Sequence, residues 1–286
     1  MRTDIANPFI DMTSPLDSVE IAKLVFLTPL AILRLLMAIC IGLSAYLPAP
    51  PYTQLIYGLL LCFGYYDIEV HGHNNVNATR GQAVIMASNH ISFIDTFVLS
   101  YLLRPIWVAR TSQSTIPFFG KYLRSIGSVF VPSPAEGAGT GASKLIEDAA
   151  RRRPNGRMVC IFPEGGCSNG QQLLKFKSGA FVPLLPILPC IITHRSPTIL
   201  PSWTLDNVLF VIWRLLTQLE NRVAVRFLPI VYPYEGENVG DFKERVRGIM
   251  SAASGLPLSN HGIEDFRELT KGLALSWDRR RVVEKV

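Results

Sequence analysis

AVIMASNHISFIDTFVLSYLL, residues Ala83 to Leu103, is the stretch on which the reading of the chain turns. Ala83–Ala87 is a short apolar run of the length expected for a buried strand. Phe93–Leu103 is long enough for a helix, with Ser92 ahead of it as a good N-cap and Asp95 three residues on, the spacing of a capping box. Asn89, His90 and Ser92 fall in the seam. His90 and Asp95 stand five positions apart, about 140° of rotation on a continuous helix, so on one helix they would not meet. With His90 on a loop and Asp95 in the first turn they can. Two readings stand together here. Asp95 caps the helix and His90 is an ordinary loop histidine, or the two are a base and its orienter, the carboxylate fixing the imidazole tautomer and supporting the imidazolium.

Outward from this seam the chain alternates short strands and helices. Asp67–His71, Pro105–Ala109, Ser128–Val131, Arg157–Phe162 and Val223–Leu228 read as further strands. Phe118–Ile126 and Ser143–Arg153 read as helices, Pro132–Ala142 as a loop, and the tail from Asp241 as mostly helical. The pattern predicts an α/β fold with a mixed, largely parallel sheet flanked by helices over residues 67–286.

Residues 1–66 have another texture. Leu24–Leu47 is long enough for the roughly 20 residues that span a bilayer core, although Pro29 interrupts it and Arg34 sits inside it. An arginine in lipid must pair, snorkel or lie near an interface. Pro48–Pro51 breaks the run, and a second apolar stretch, Leu55–Tyr66, is too short to cross. The pair predicts a membrane-embedded helical hairpin, with a buried core hairpin as the alternative. Composition agrees with a membrane contact: 49% of the 286 residues are hydrophobic and only 17% charged, against about 25% charged in ordinary soluble domains. The net charge of +6 suits an anionic surface or anionic substrates. Its basic residues are scattered without a nucleic-acid motif, so no nucleic-acid partner is expected. Five cysteines without a C-x-x-C pair argue against a disulfide framework or a zinc site, and no metal is expected.

The second informative stretch is IFPEGGCSNGQQLLKFKSGAF, Ile161 to Phe181. A buried strand ends at Phe162 and a Pro-Glu-Gly-Gly turn follows, where glycines let a backbone approach a ligand. Glu164 is placed to bond substrate hydroxyls, and Lys175 and Lys177 to face a phosphate, unless the turn is simply tight and its charges solvated. No G-x-S-x-G elbow occurs, so a proton taken by His90 would come from a substrate hydroxyl.

Together, NHISFID and FPEGG resemble the signature of the glycerolipid acyltransferase superfamily, H-x4-D followed downstream by F-P-E-G. Ile116–Val131 looks like its acceptor-binding block and Phe176–Pro189 like its last block. Ser202–Pro233, Asn7–Ile10 and the Asp241–Met250 tail are similar to the lysophosphatidylcholine acyltransferase branch. Three positions depart from the pattern: Gly166 stands for threonine, Ser133 for an arginine, and Arg110 for a lysine. The resemblance implies acyl transfer from acyl-CoA to a lysophospholipid, with His90 as general base, Asp95 as orienter and no covalent acyl-enzyme. Asn89, Ser92, Arg110, Glu164, Gly165, Gly166, Lys175 and Lys177 would bind substrate. No cofactor is implied beyond acyl-CoA as co-substrate. The expected partners are acyl-CoA, lysophospholipid and membrane lipids. The expected location is a membrane, the endoplasmic reticulum with the site facing the cytosol or a lipid-droplet surface. A catalytically silent scaffold of the same fold and a glycerol-3-phosphate or lysophosphatidic acid acyltransferase are the alternatives.

Overall fold

The computed structural model describes residues 7–9, 16–132, 141–153, 156–196, 198–202, 204 and 207–266. Ser133, most of the Pro132–Ala142 loop, Ile10 and the tail past residue 266 lie outside the described residues. Seven strands form one sheet: β1 (Tyr65–His71), β2 (Ile85–Ser88), β3 (Ile106–Arg110), β4 (Val129–Val131), β5 (Val159–Ile161), β6 (Ile187–Arg195) and β7 (Asn221–Phe227). Their order is β1-β7-β6-β2-β5-β3-β4. Every neighbouring pair is parallel except β6 and β7, which run antiparallel. The mixed, largely parallel sheet read from the sequence is therefore the one that forms.

The central strands are apolar on both faces because both are covered. Met86 of β2 joins the core on one side, and Ile85 and Ala87 join the core on the other. The first core is closed by α3 (Tyr52–Cys62), α5 (Phe93–Leu103), α6 (Phe119–Ser125) and α8 (Val208–Leu216). The second is closed by α7 (Ala142–Arg152) and α9 (Val239–Ser254). A short α4 (His73–Asn77) follows β1, and His73 opens it.

At the N-terminus, α1 (Ser18–Phe26) and α2 (Thr28–Ser44) meet at a 59° bend, and Pro29 sits in the first turn of α2 as its missing N–H allows. Among the described residues no single helix is long and apolar enough to cross a membrane; the bent pair has the length and composition only when taken together. The two arms of the expected hairpin behave differently. Ile56, Leu59 and Leu60 of α3 are buried in the first core, so this arm packs as a core helix. Leu33, Leu36, Met37, Ile39 and Leu43 of α2 stay exposed. Arg34 turns inward, where its guanidinium donates to the carbonyl of Leu216 at the end of α8, to those of Gln218 and Leu219 beyond it, and to the Tyr66 hydroxyl. Carbonyls at a helix C-terminus carry partial negative charge, so the cation is satisfied by protein.

Candidate active site

Strands β2, β5 and β6 run parallel, and their carboxyl ends open on one edge of the sheet. In open α/β sheets ligands bind in the crevice outside such ends. The loop after β2 carries His90, the turn after β5 carries Glu164, and the last residues of β6 carry His194.

Ser92 is the N-cap of α5, and the capping box is complete. Asp95 Oδ2 accepts from the backbone amides of Ile91 at 2.7 Å and Ser92 at 2.9 Å. The same oxygen lies 2.9 Å from His90 Nδ1. One carboxylate thus both caps the helix and reaches the His90 ring. Its other oxygen meets His194 Nε2 at 2.6 Å. Burial alone would push Asp95 upward, but hydrogen bonds from His194 and then His90 hold it well below the usual carboxylate range. The His90 ring lies flat on Phe162, 3.9 Å between centroids with 6° between planes, and Phe162 stacks in turn on Trp107. That stack fixes the ring plane, and 16% of the side chain remains exposed. Burial lowers the imidazole pKa, but Cys167 and Asp95 outweigh it and raise it to about 10.

The sequence reading puts Asn89, Ser92 and Glu164 against substrate; in the structure all three are buried and hold the loops together. The Asn89 amide bonds the carbonyl and the N–H of Ile192 on β6 at 2.9 and 2.7 Å. Glu164 accepts from His90 N at 2.8 Å and Leu174 N at 3.0 Å, tying the two motif loops to each other. Burial raises Glu164 to about 7 against those two amide bonds. Arg110, Gly165, Gly166, Lys175 and Lys177 are at least partly accessible. Arg110 Nη2 donates to Gly165 O at 2.9 Å, and the Lys177 ammonium pairs with Glu264 at 3.1 Å. Gly165 has φ +77, and a Cβ there would stand 2.7 Å from Lys177 Cε, so both backbone and space call for glycine.

The departure at Gly166 has a local cause. A Cβ at this position would meet Ile263 Cδ1 at 2.3 Å. Ile263 belongs to a small cluster with Phe9 and Leu174, against which Phe266 packs. Pro8 accepts from the Asn169 amide at 2.7 Å. Segments from both ends of the described chain therefore wall the Pro163–Lys177 loop.

His194, Tyr65 and Cys167 complete the site without having been singled out by the sequence, and Phe162, the first residue of the FPEGG motif, gains its role from its stack on His90. His194 is a lone imidazole at the end of an apolar strand, with its carboxylate partner ninety-nine positions away, so no local spacing marks it.

Residues 67–193 match the family model described as Acyltransferase, a span that takes in both motif loops. By this match residues 67–193 are an acyltransferase domain. Within that class the chain is similar to the lysophosphatidylcholine acyltransferases. The Drosophila melanogaster lysophosphatidylcholine acyltransferase is 29% identical over 91% of this chain and 54% of the relative. Lysophosphatidylcholine acyltransferase 1 of Rattus norvegicus is 30% identical over 71% of this chain and 38% of the relative. The chain thus spans about half the length, or less, of these curated relatives. Its fold is that of the 1-acyl-sn-glycerophosphate acyltransferase PlsC from Thermotoga maritima, with TM-score 0.54 and 17% identity, covering 82% of this chain and 95% of the other.

Proposed function

We propose that the chain transfers an acyl group from acyl-CoA to the free hydroxyl of a lysoglycerophospholipid, lysophosphatidylcholine first among them, at a membrane surface. The observation that carries this reading is the His90 ring itself. Its Nδ1 is engaged by Asp95 while the ring keeps an exposed edge beside the Phe162–Gly166 turn. The ring keeps its second proton up to about pH 10, so the neutral base is the minority form at pH 7 and turnover should rise with pH; in that form Nε2 takes the acceptor's hydroxyl proton as the oxygen attacks the thioester carbonyl. The tetrahedral intermediate collapses, the C–S bond breaks, and the imidazolium returns the proton to the CoA thiolate. Atoms and charge balance without a covalent enzyme intermediate, a metal or a further cofactor. Arg110, Lys175 and Lys177 face the acceptor's phosphate, and the glycines at 165 and 166 admit its glycerol. Glu164, Asn89 and Ser92 act from behind by holding the two loops in register.

The exposed apolar face of α1 and α2, with Phe26, Leu33, Leu36 and Leu43, supports a membrane seat. Both substrates carry acyl chains that partition into the bilayer, so an enzyme resting there meets them without extracting them into water. A cytosol-facing site on the endoplasmic reticulum or a lipid droplet is where acyl-CoA is made available. The test is a panel of lysophospholipids, lysophosphatidic acid and glycerol 3-phosphate with labelled acyl-CoA and the purified full chain. Labelled diacyl phospholipid is expected, and His90→Ala should lower its rate by about a thousandfold while liposome binding persists. CoA release that ignores the acceptor would replace the reading with a hydrolase, and no CoA release with any acceptor would replace it with a silent scaffold.

A further inference from the structure

Asp95 is held on both oxygens, and the two sides differ in kind. Oδ2 carries two backbone amides and the ring of His90. Oδ1 meets His194 Nε2. That second imidazole has no exposed side-chain surface, whereas His90 has 16%. His194 therefore lies beyond the reach of a substrate that reaches His90.

Behind His194, its Nδ1 lies 3.1 Å from the hydroxyl of Tyr65, itself fully buried at the start of β1. The rings of Tyr65 and His194 meet edge-on. Burial, and after it the charge of Asp95, raise the Tyr65 hydroxyl well above its usual range, so the phenol keeps its proton. Among the described residues this hydroxyl has no hydrogen-bond partner except His194. One assignment gives every polar hydrogen an acceptor. The phenol donates to Nδ1, Nε2–H donates to Asp95 Oδ1, and Nδ1–H of His90 donates to Oδ2. An imidazolium at position 194 would leave the phenol's hydrogen with nowhere to go, and the reverse neutral tautomer would set a lone pair against the carboxylate.

We propose that His194, fixed by Tyr65, is a positioning residue for the acyl-transfer reaction. It holds Asp95 ionised and unable to rotate, so that His90 is the one member of the relay that changes protonation state. This inference rests on the reading of His90 as the base. The division of labour follows from burial: two histidines share one carboxylate, the accessible one moves protons, and the buried one sets the tautomer and orientation of the set. Asp95 would otherwise present a buried, half-satisfied anion, which low dielectric makes costly.

The experiment compares His194→Ala, His194→Gln and Tyr65→Phe in the full chain. A glutamine at 194 donates to Asp95 through its amide nitrogen and accepts from Tyr65 through its oxygen, but does not titrate. Steady-state kinetics are run from about pH 5 to 11 with acyl-CoA and lysophosphatidylcholine, and the His90 imidazole is titrated by NMR without substrate. His194→Ala should lower kcat about a hundredfold with little change in KM. It should also move the acidic limb to higher pH, because an ionised Asp95 relieved of one donor holds the His90 proton more strongly. His194→Gln should recover most of kcat and return the limb to its wild-type place, with Tyr65→Phe in between. If His194→Ala lowers the melting temperature yet leaves kcat and the limb unchanged, the residue is structural and the proposal is overturned. A wild type without transferase activity would sink the functional reading alone. The His90 titration then decides the relay: displacement in His194→Ala but not in His194→Gln upholds it, and identical curves overturn it. Should His194→Ala fail to fold, the same titration in Tyr65→Phe and His194→Gln decides.

Discussion

Two buried carboxylates, one on each motif loop, meet opposite fates. Asp95 and Glu164 both accept backbone amides, and both lie out of water. Asp95 also faces two imidazoles, and its pKa is held far down; Glu164 has only its amides, and burial lifts it to about 7. What separates them is the company of titratable donors, not burial or residue type. Asp95 is the permanent anion of the site. Glu164 is a tie between loops whose charge is conditional on pH.

The hardest test of this contrast removes the anion. Asp95→Asn should lower kcat by about a thousandfold or more. It should also pull the His90 pKa down from about 10, moving the acidic limb to lower pH, the direction opposite to His194→Ala. The cost to folding should be about 3–5 kcal/mol, since a buried charge-assisted network loses its centre. Denaturant melts with a pH–rate profile check both. An unchanged limb would mean that Asp95 does not govern His90.

Glu164→Gln should act mainly on stability. A carboxyl raised from 4.5 to about 7 favours its neutral form in the fold, so wild-type stability declines as pH rises from the ordinary value through about 7. Asp95 has the reverse sign: its contribution is present above 3.8 and lost on acidification. His90, raised from 6.5 to about 10, contributes fully below its ordinary value and loses its share at higher pH. Glu164→Gln should therefore erase the decline between about pH 4.5 and 7 and leave the alkaline part, while losing about 1 kcal/mol at acid pH for one orphaned amide. Melting curves across that range read it directly. A wild-type curve without the lower decline would place Glu164 among ordinary acids.

The smallest effect concerns the turn beside Glu164. Gly166→Thr should cost about 1–3 kcal/mol by overpacking against Ile263 and reduce turnover less than tenfold. Adding Ile263→Ala should return part of the loss, and a strictly additive double mutant would show that the two side chains do not compete for one space.

Much of this geometry was legible beforehand. The Ser92–Asp95 spacing and the apolar runs around it pointed to the strand, the loop and α5 and left room for the His90–Asp95 contact, because each depends on neighbours in sequence. Capping α5 and contacting His90 do not exclude each other, which spacing alone does not reveal. Strand β6 was missed because Pro186 and Pro189 punctuate it, and proline usually argues against a central strand. Pro189 nonetheless still accepts from the Leu228 amide at 2.9 Å. With β6 unseen, His194 had no address. Glu164 and Asn89 were read as facing substrate because a polar residue beside a glycine turn looks available; only the fold shows which backbone groups claim it. Both arms of the N-terminal hairpin are mostly apolar in sequence, Arg34 aside, and the burial of α3 is a tertiary fact.

Phe9 and Ile263 come from opposite ends of the described chain and press on the same side of one loop. Trimming the protein from either direction therefore reaches a single spot. A truncation series would record lost turnover when the first few residues go, and that loss would look like a missing anchor. Liposome sedimentation run beside the assay would tell an unroofed crevice from a protein that has drifted off its bilayer.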